Sequence, residues 1–239
     1  MTLSEGDIRD AVSGVYEAVG RGGSRAPGGL GVHTGGELAR MLGYHSEELA
    51  TQPSQVLDAF VGAAALANEV TGPPGPWVLD LGCGAGVDGL VLAARGHRVA
   101  ALDASGTMLR LASRQWTDRR LSVRALLPTL PFRSGFAGWA LLNGVANLIP
   151  DRAGLLREVA RSLAPGGTLL VADLIEIGPI PPELRSLPEA WAWCVGGATT
   201  VETWTDDLAG AGFPAPQVVV AEEFPPLARA LLRVRKRGP

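Results

Sequence analysis

Cysteine is nearly missing from this chain. Only Cys83 and Cys194 occur, and neither belongs to a C-x-x-C pair, which excludes a disulfide framework and leaves two free thiols as the simpler reading. No apolar run approaches the roughly 20 residues that cross a bilayer. The opening Met1-Thr2-Leu3-Ser4-Glu5-Gly6-Asp7 has neither the basic start nor the apolar stretch of a secretory signal, so the expectation is a cytoplasmic protein with no membrane partner. Positive charge is also scarce. The 21 Lys and Arg stand against 24 Asp and Glu for a net charge of −3, and the one basic cluster, Arg229, Arg233, Arg235, Lys236 and Arg237, reads as a solvated strand end. Without clustered cations there is no footprint for phosphate backbones, and nucleic acid is not an expected partner. No internal repeat is visible.

What is present suits one α/β core in a monomer or homodimer: 239 residues, 46% of them hydrophobic. The glycine-rich stretch 20–29 has too little apolar content for a helix or strand and reads as a loop. Around it the spacing predicts helices over 8–18, 36–42 and 54–70, the last on the spacing of Val56, Ala59, Phe60 and Ala63. Residues 1–72 are expected to form an N-terminal helical cap, closed by Thr71-Gly72-Pro73-Pro74-Gly75-Pro76, with the main domain over 73–239. Beyond that boundary short apolar strands alternate with amphipathic helices, the pattern of a sheet covered on both faces. Strands are expected at 77–81, 98–103, 121–125, 138–142 and 168–175, with helices at 87–95, 105–115, 152–163 and 201–210. Two further strands, 217–221 and 228–235, are joined closely enough to pair antiparallel.

The chemistry concentrates where Trp77-Val78-Leu79-Asp80-Leu81 runs into Gly82-Cys83-Gly84-Ala85-Gly86. Glycines at such a strand-to-helix turn let a ligand approach the main chain, and the free N–H groups of the next helix favour an anion. The spacing is G-x-G-x-G, whereas a dinucleotide fingerprint wants Gly or Ala where Val87 stands. A nicotinamide-dependent oxidoreductase is thereby disfavoured but kept as an alternative. Asp80 would repel a pyrophosphate and suit an ammonium group. Asp103 ends the second strand, where a carboxylate accepts both hydroxyls of a ribose; its bland alternative is a helix N-cap, for which Ser105 competes.

These segments resemble motifs I and II of class I S-adenosylmethionine (SAM) dependent methyltransferases, and Pro165-Gly166-Gly167 resembles the turn before their fifth strand. The resemblance implies a Rossmann-like, mostly parallel sheet with an antiparallel last strand, and SAM as cofactor. It implies that Gly82, Cys83, Gly84 and Gly86 line the methionine part with Asp80, that Asp103 and Ala104 hold the ribose, and that Met108, Leu126 and Leu127 meet the adenine. Asn143 would close the pocket. Many relatives carry an acidic residue near Leu126 and write Phe-Asp where this chain has Phe136-Ala137, which motivates a third reading, a SAM-binding protein without catalysis.

Closer similarity to the arsenite methyltransferase group lies in Val12-x-x-x-Tyr16, Leu42-Gly43-Tyr44, Asn143-Gly144-Val145-Ala146-Asn147 and Cys194-Val195-Gly196-Gly197-Ala198. It adds Tyr16 to the cofactor set and implies Cys194 as a ligand of trivalent arsenic. The departure is that Phe60-Val61-Gly62-Ala63 has no cysteine where relatives carry one, and a soft metalloid held by one thiol is held weakly. The small-molecule methyl acceptor is thus read either as an arsenical or other soft nucleophile, or as a natural product methylated on O, N or C. Where the acceptor must lose a proton, Asp173, Glu176, His33 and His45 are the candidate bases. Trp191 and Trp193 are candidate walls of the acceptor pocket.

Overall fold

A computed structural model describes residues 3–22, 34–113 and 120–238. His33, most of the glycine-rich stretch and the end of the expected helix 105–115 lie outside the described residues. Seven strands make one sheet: β1 (Trp77–Leu81), β2 (Arg98–Asp103), β3 (Arg120–Arg124), β4 (Ala137–Asn143), β5 (Leu163–Glu176), β6 (Gln217–Phe224) and β7 (Leu227–Arg235). Their order is β3-β2-β1-β4-β5-β7-β6. Strands β1 to β5 pair in parallel, while β7 runs antiparallel to β5 and to β6. The chain winds outward from β1 to β3 and then restarts at β4 on the other side of β1, and a crevice opens at the carboxyl ends where the order reverses.

Side-chain alternation divides the core between the two faces of the sheet. Leu79, Leu81, Leu102, Leu142 and Val171 pack with Leu155 and Val159 of α7 (Arg152–Ser162) and Trp204 of α10 (Val201–Gly210). Val78, Val99, Leu141 and Leu170 pack with Val91 and Leu92 of α5 (Val87–Ala94). The second core also contains Leu38 from α2 (Gly35–Met41), Leu49 from α3 (Ser46–Ala50) and Val56 from α4 (Ser54–Asp58). The N-terminal elements therefore bury one face of the sheet as well as overhanging its end. Helix α1 (Glu5–Gly20) is started by a Ser4–Asp7 capping box. It is tied to α6 (Gly106–Ser113) through Glu17, which accepts bonds from Ser105 and Thr107.

Two expectations need correction. The helix expected over 54–70 stops at Asp58, and only Leu66–Asn68 regains a single 3-10 turn. Val56, Ala59, Phe60 and Ala63 are all buried, but of the four only Val56 lies in a helix, so the periodicity found the right side chains and, beyond Asp58, the wrong backbone. The backbone groups that would have closed helical turns bond elsewhere: the Phe60 carbonyl accepts from Gly35, Ala63 donates to Asn143, and Ala67 donates to Asp88. The second correction concerns Pro165-Gly166-Gly167. They do not precede β5 but lie within its first residues, where the register jumps from Ala137↔Leu163 to Trp139↔Thr168 and the intervening chain bulges. Short helices α8 (Pro182–Arg185) and α9 (Pro188–Ala192) were not foreseen.

Candidate active site

The glycine turn is the floor of the crevice. Gly82, Gly84 and Gly86 all take left-handed backbone angles (φ 68°, 53° and 86°), which L side chains resist. The N–H groups of Gly82 and Cys83 donate to the Leu102 carbonyl at 2.7 and 3.0 Å, pinning the turn to β2. A Cβ on Gly82 would lie 2.4 Å from Val145 Cγ2, whereas one on Gly84 would meet no atom within 4 Å. Gly82 is thus demanded by packing and Gly84 by backbone angle and open access.

Around this floor lies a cavity enclosing about 1000 Å3 of non-atom space, its open mouth included. The turn residues Gly82, Cys83, Gly84 and Gly86, the carboxylates Asp80 and Asp103, and Ala104 and Met108 all line it. So do Tyr16 from α1, Leu126 and Leu127 after β3, and Asn143 at the end of β4. All twelve residues expected to bind the cofactor share this one cavity.

Asp103 joins the turn to the end of β2. One oxygen accepts from Gly84 N and the other from Ser105 N, each at 2.8 Å. Ser105 Oγ in turn accepts from Met108 N at 3.1 Å. Ser105 therefore caps α6, and Asp103 is not the cap. Burial pushes its carboxyl above the ordinary aspartate range despite these bonds, and each oxygen keeps a lone pair for a ligand. Asp80 is 3% exposed with Oδ2 unpartnered. Desolvation, then the nearby charge of Asp88, pushes its carboxyl up to about 8, with the Arg120 guanidinium opposing.

One polar network escaped the sequence reading. Asn143 Oδ1 accepts from Ala63 N at 2.7 Å, and its Nδ2 donates to Ala64 O and to Asp88 Oδ2, both at 2.8 Å. The other Asp88 oxygen accepts from Tyr44 Oη at 2.8 Å and Ala67 N at 2.7 Å. The network holds segment 60–67, which lies outside the α-helices, over the crevice. Asp88 went unnoticed because an acidic residue in a first helical turn has an ordinary explanation.

A second, smaller cavity shares Tyr16, Val61 and Gly144 with the first. Asp173, Trp193, Cys194, Phe224 and Arg229 line its far side. Asp173 accepts from Asn147 N at 3.0 Å, Asn147 Nδ2 at 2.9 Å and Leu174 N at 2.9 Å. Burial still raises it to about 6. Cys194 adopts φ 65°, its thiol lies 3.4 Å from the Gly144 carbonyl, and burial, followed by Asp173, pushes its pKa well up. The two glycines after it are packing requirements: a Cβ on Gly196 would lie 2.3 Å from Trp191, and one on Gly197 2.0 Å from the Asn147 carbonyl. Trp193 lines the cavity, while Trp191 packs outside it, its indole N–H bonded to Arg185 O. Of the other candidate bases, Glu176 is ion-paired with Arg185, and His45 is exposed at the start of α3, in neither cavity. Among the described residues no group of three or more His, Cys, Asp or Glu is placed to hold a metal ion.

Comparison with known proteins gives this arrangement a context. Residues 79–171 match the methyltransferase domain family. The chain is 26% identical over 242 residues to the arsenite methyltransferase of Halobacterium salinarum, covering 91% of this chain and 60% of that protein; it thus spans about three-fifths of that relative. Among solved structures, an arsenic(III) SAM methyltransferase from Chlamydomonas reinhardtii superposes with a TM-score of 0.66 at 24% identity, covering 81% of this chain and 73% of that one. A SAM-dependent methyltransferase from Mesorhizobium loti gives 0.59 at 26% identity, covering 72% and 96%.

Proposed function

We propose that this chain, a class I SAM-dependent methyltransferase related to the arsenite methyltransferases, transfers a methyl group to a small molecule that enters through the second cavity. The cofactor, S-adenosyl-L-methionine, supplies a methyl group already activated on a sulfonium. The observation that carries the reading is the bond from Gly84 N to Asp103, which fuses an open glycine cradle with a carboxylate at the switch point of the sheet.

The residues present fit that cofactor. Gly84 leaves the main chain open to a ligand, and the unpartnered oxygen of buried Asp80 suits the amino group of the methionine part. Asp103 suits the ribose diol, Met108 and Leu127 offer apolar walls to the adenine, and Tyr16 spans the two cavities. In this reading the described part of 1–72 serves as the cap, with α1 and segment 60–64 walling the passage between cofactor and acceptor. The protein's task is then to align a nucleophile and exclude water.

Titration calorimetry with SAM, S-adenosylhomocysteine and NAD(P) tests this. SAM and its product are expected to bind at micromolar levels, and Asp103→Asn to weaken both by at least tenfold; binding of NAD(P) alone would refute the reading. A trivalent arsenical is the second reading for the acceptor, favoured by Cys194 on the acceptor side and by the names of the relatives. Methylation of arsenite that Cys194→Ser abolishes would establish it; activity unchanged in that variant would remove arsenic ligation.

A further inference from the structure

The second cavity specifies the chemical class of the acceptor more narrowly. It has aromatic and aliphatic walls in Tyr16, Val61, Trp193 and Phe224, and one carboxylate, Asp173, which is 1% exposed. Tyr16 contributes a hydroxyl that is fully enclosed and has no hydrogen-bond partner, although its ring is half-buried. A buried hydroxyl without a partner is costly, and at the boundary of two cavities the missing partner is one that a ligand brings. We propose that this cavity binds a phenolic or enolic hydroxyl, with Tyr16 hydrogen-bonded to the acceptor oxygen and Asp173 as the base that takes its proton. The inference rests on SAM binding in the adjacent crevice.

The chemistry of the lining distinguishes this acceptor from others. Asp173 is gripped by three N–H donors from Asn147 and Leu174, a set that favours the ionised form. Cys194, Tyr16 and Arg152 are the titratable or charged groups whose fields reach it, and Arg229 across the cavity is paired with Glu222. With a pKa of about 6 it is ionised at neutral pH. A carboxylate of that basicity removes the proton of a phenol and is too weak for a simple alcohol. An amine free base needs no such group, and a carboxylate acceptor would be repelled by it. Cys194, whose thiol is held protonated by burial, points a weak hydrogen-bond donor at the Gly144 carbonyl, and it is the one thiol in the lining, where a soft metalloid held by one thiol is held weakly. In the transfer the O–CH3 bond forms as the S–CH3 bond breaks. The sulfur keeps the bonding pair and becomes a neutral thioether, while the hydroxyl proton passes to Asp173 and leaves to water with the product.

The test uses the full chain with methyl-labelled SAM and three acceptors: phenol, 4-nitrophenol and arsenite. Phenol and 4-nitrophenol should be methylated, and Asp173→Asn should lower kcat/KM about 100-fold for phenol. For 4-nitrophenol, at a pH where it is already ionised, the loss should be only a few-fold; equal losses for the two, or methylation of arsenite alone, would overturn the proposal. Tyr16→Phe removes no protein hydrogen bond and should fold if Asp173→Asn does not. Calorimetry of phenol with the S-adenosylhomocysteine complex should show binding about 5- to 10-fold weaker in Tyr16→Phe, and unchanged binding would overturn the role of Tyr16. If SAM binds and no phenol binds or reacts, this inference alone falls; if SAM does not bind, the cofactor reading falls with it.

Discussion

The two cavities sit side by side and are built in opposite ways. The floor of the first comes from one contiguous stretch, β1 through the glycine turn to α5, with a single strand end, Asp103, bonded to it. The second cavity draws Tyr16, Val61, Gly144, Asp173, Cys194 and Arg229 from six separate parts of the chain. Its rigidity is borrowed: Asn147 holds Asp173, Gly197 makes room for the Asn147 carbonyl, and Asn143 holds the segment that carries Val61. The first cavity is stiffened by backbone geometry, the second by side-chain bonds between distant elements. The first tolerates few changes in its residues, while the second tolerates changes that keep the bonds.

That contrast is most exposed at Gly82 and Gly84. Gly82→Ala combines an unfavourable backbone angle with a clash against Val145, and should cost about 3–5 kcal/mol in urea unfolding and abolish cofactor binding. Gly84→Ala has the same backbone problem with nothing to strike. It should cost only about 1–2 kcal/mol of stability yet weaken SAM at least tenfold. Equal stability losses in the two would mean that angle, and not packing, governs the whole turn.

Asp80 gives the next largest effect. Its folded pKa of about 8 is raised from 3.8, so its contribution to stability is fully present below the unfolded value and is lost as pH rises through the folded one. The melting temperature of the cofactor-free protein should therefore fall between about pH 4 and 8, and Asp80→Asn should remove part of that slope. A cationic amino group favours the ionised carboxylate, so SAM affinity should rise over the same window with release of a proton, measurable as a buffer-dependent binding heat. A pH-independent affinity would separate Asp80 from the cofactor.

The smallest expected difference lies in the second cavity. Cys194 is the one non-glycine residue with positive φ among the described residues. Cys194→Gly and Cys194→Ala both lose the sulfur, and only Gly is relieved of the angle, so Gly should be the more stable by about 1 kcal/mol in urea titration. If Ala equals Gly, the angle carries no strain worth the name.

Strand positions in the sheet were readable from local pattern, because an apolar strand between turns has one period and one way to be covered. β1, β2 and α10 have the expected limits, and β3, β4 and β7 lie within a residue of them at each end. Less legible was segment 54–70, where helical spacing marked buried residues that beyond Asp58 lie outside any α-helix, because the N–H groups there found Asn143 and Asp88. Tyr44 and Asn147 stood out only as members of segments that resemble a known group, and Asp88 not at all: the role of each depends on a partner at least 26 residues away.

By itself the sequence determined the fold class and the glycine turn after β1, since a strand, a glycine turn and a helix start are adjacent in the chain and depend on backbone angles that residue type dictates. Only the tertiary structure decided that Tyr16, Asp173 and Cys194 share a second cavity, which of the candidate bases is buried in it, and what holds it in shape. Those facts depend on long-range convergence and on desolvation, and neither quantity is defined until the chain has folded.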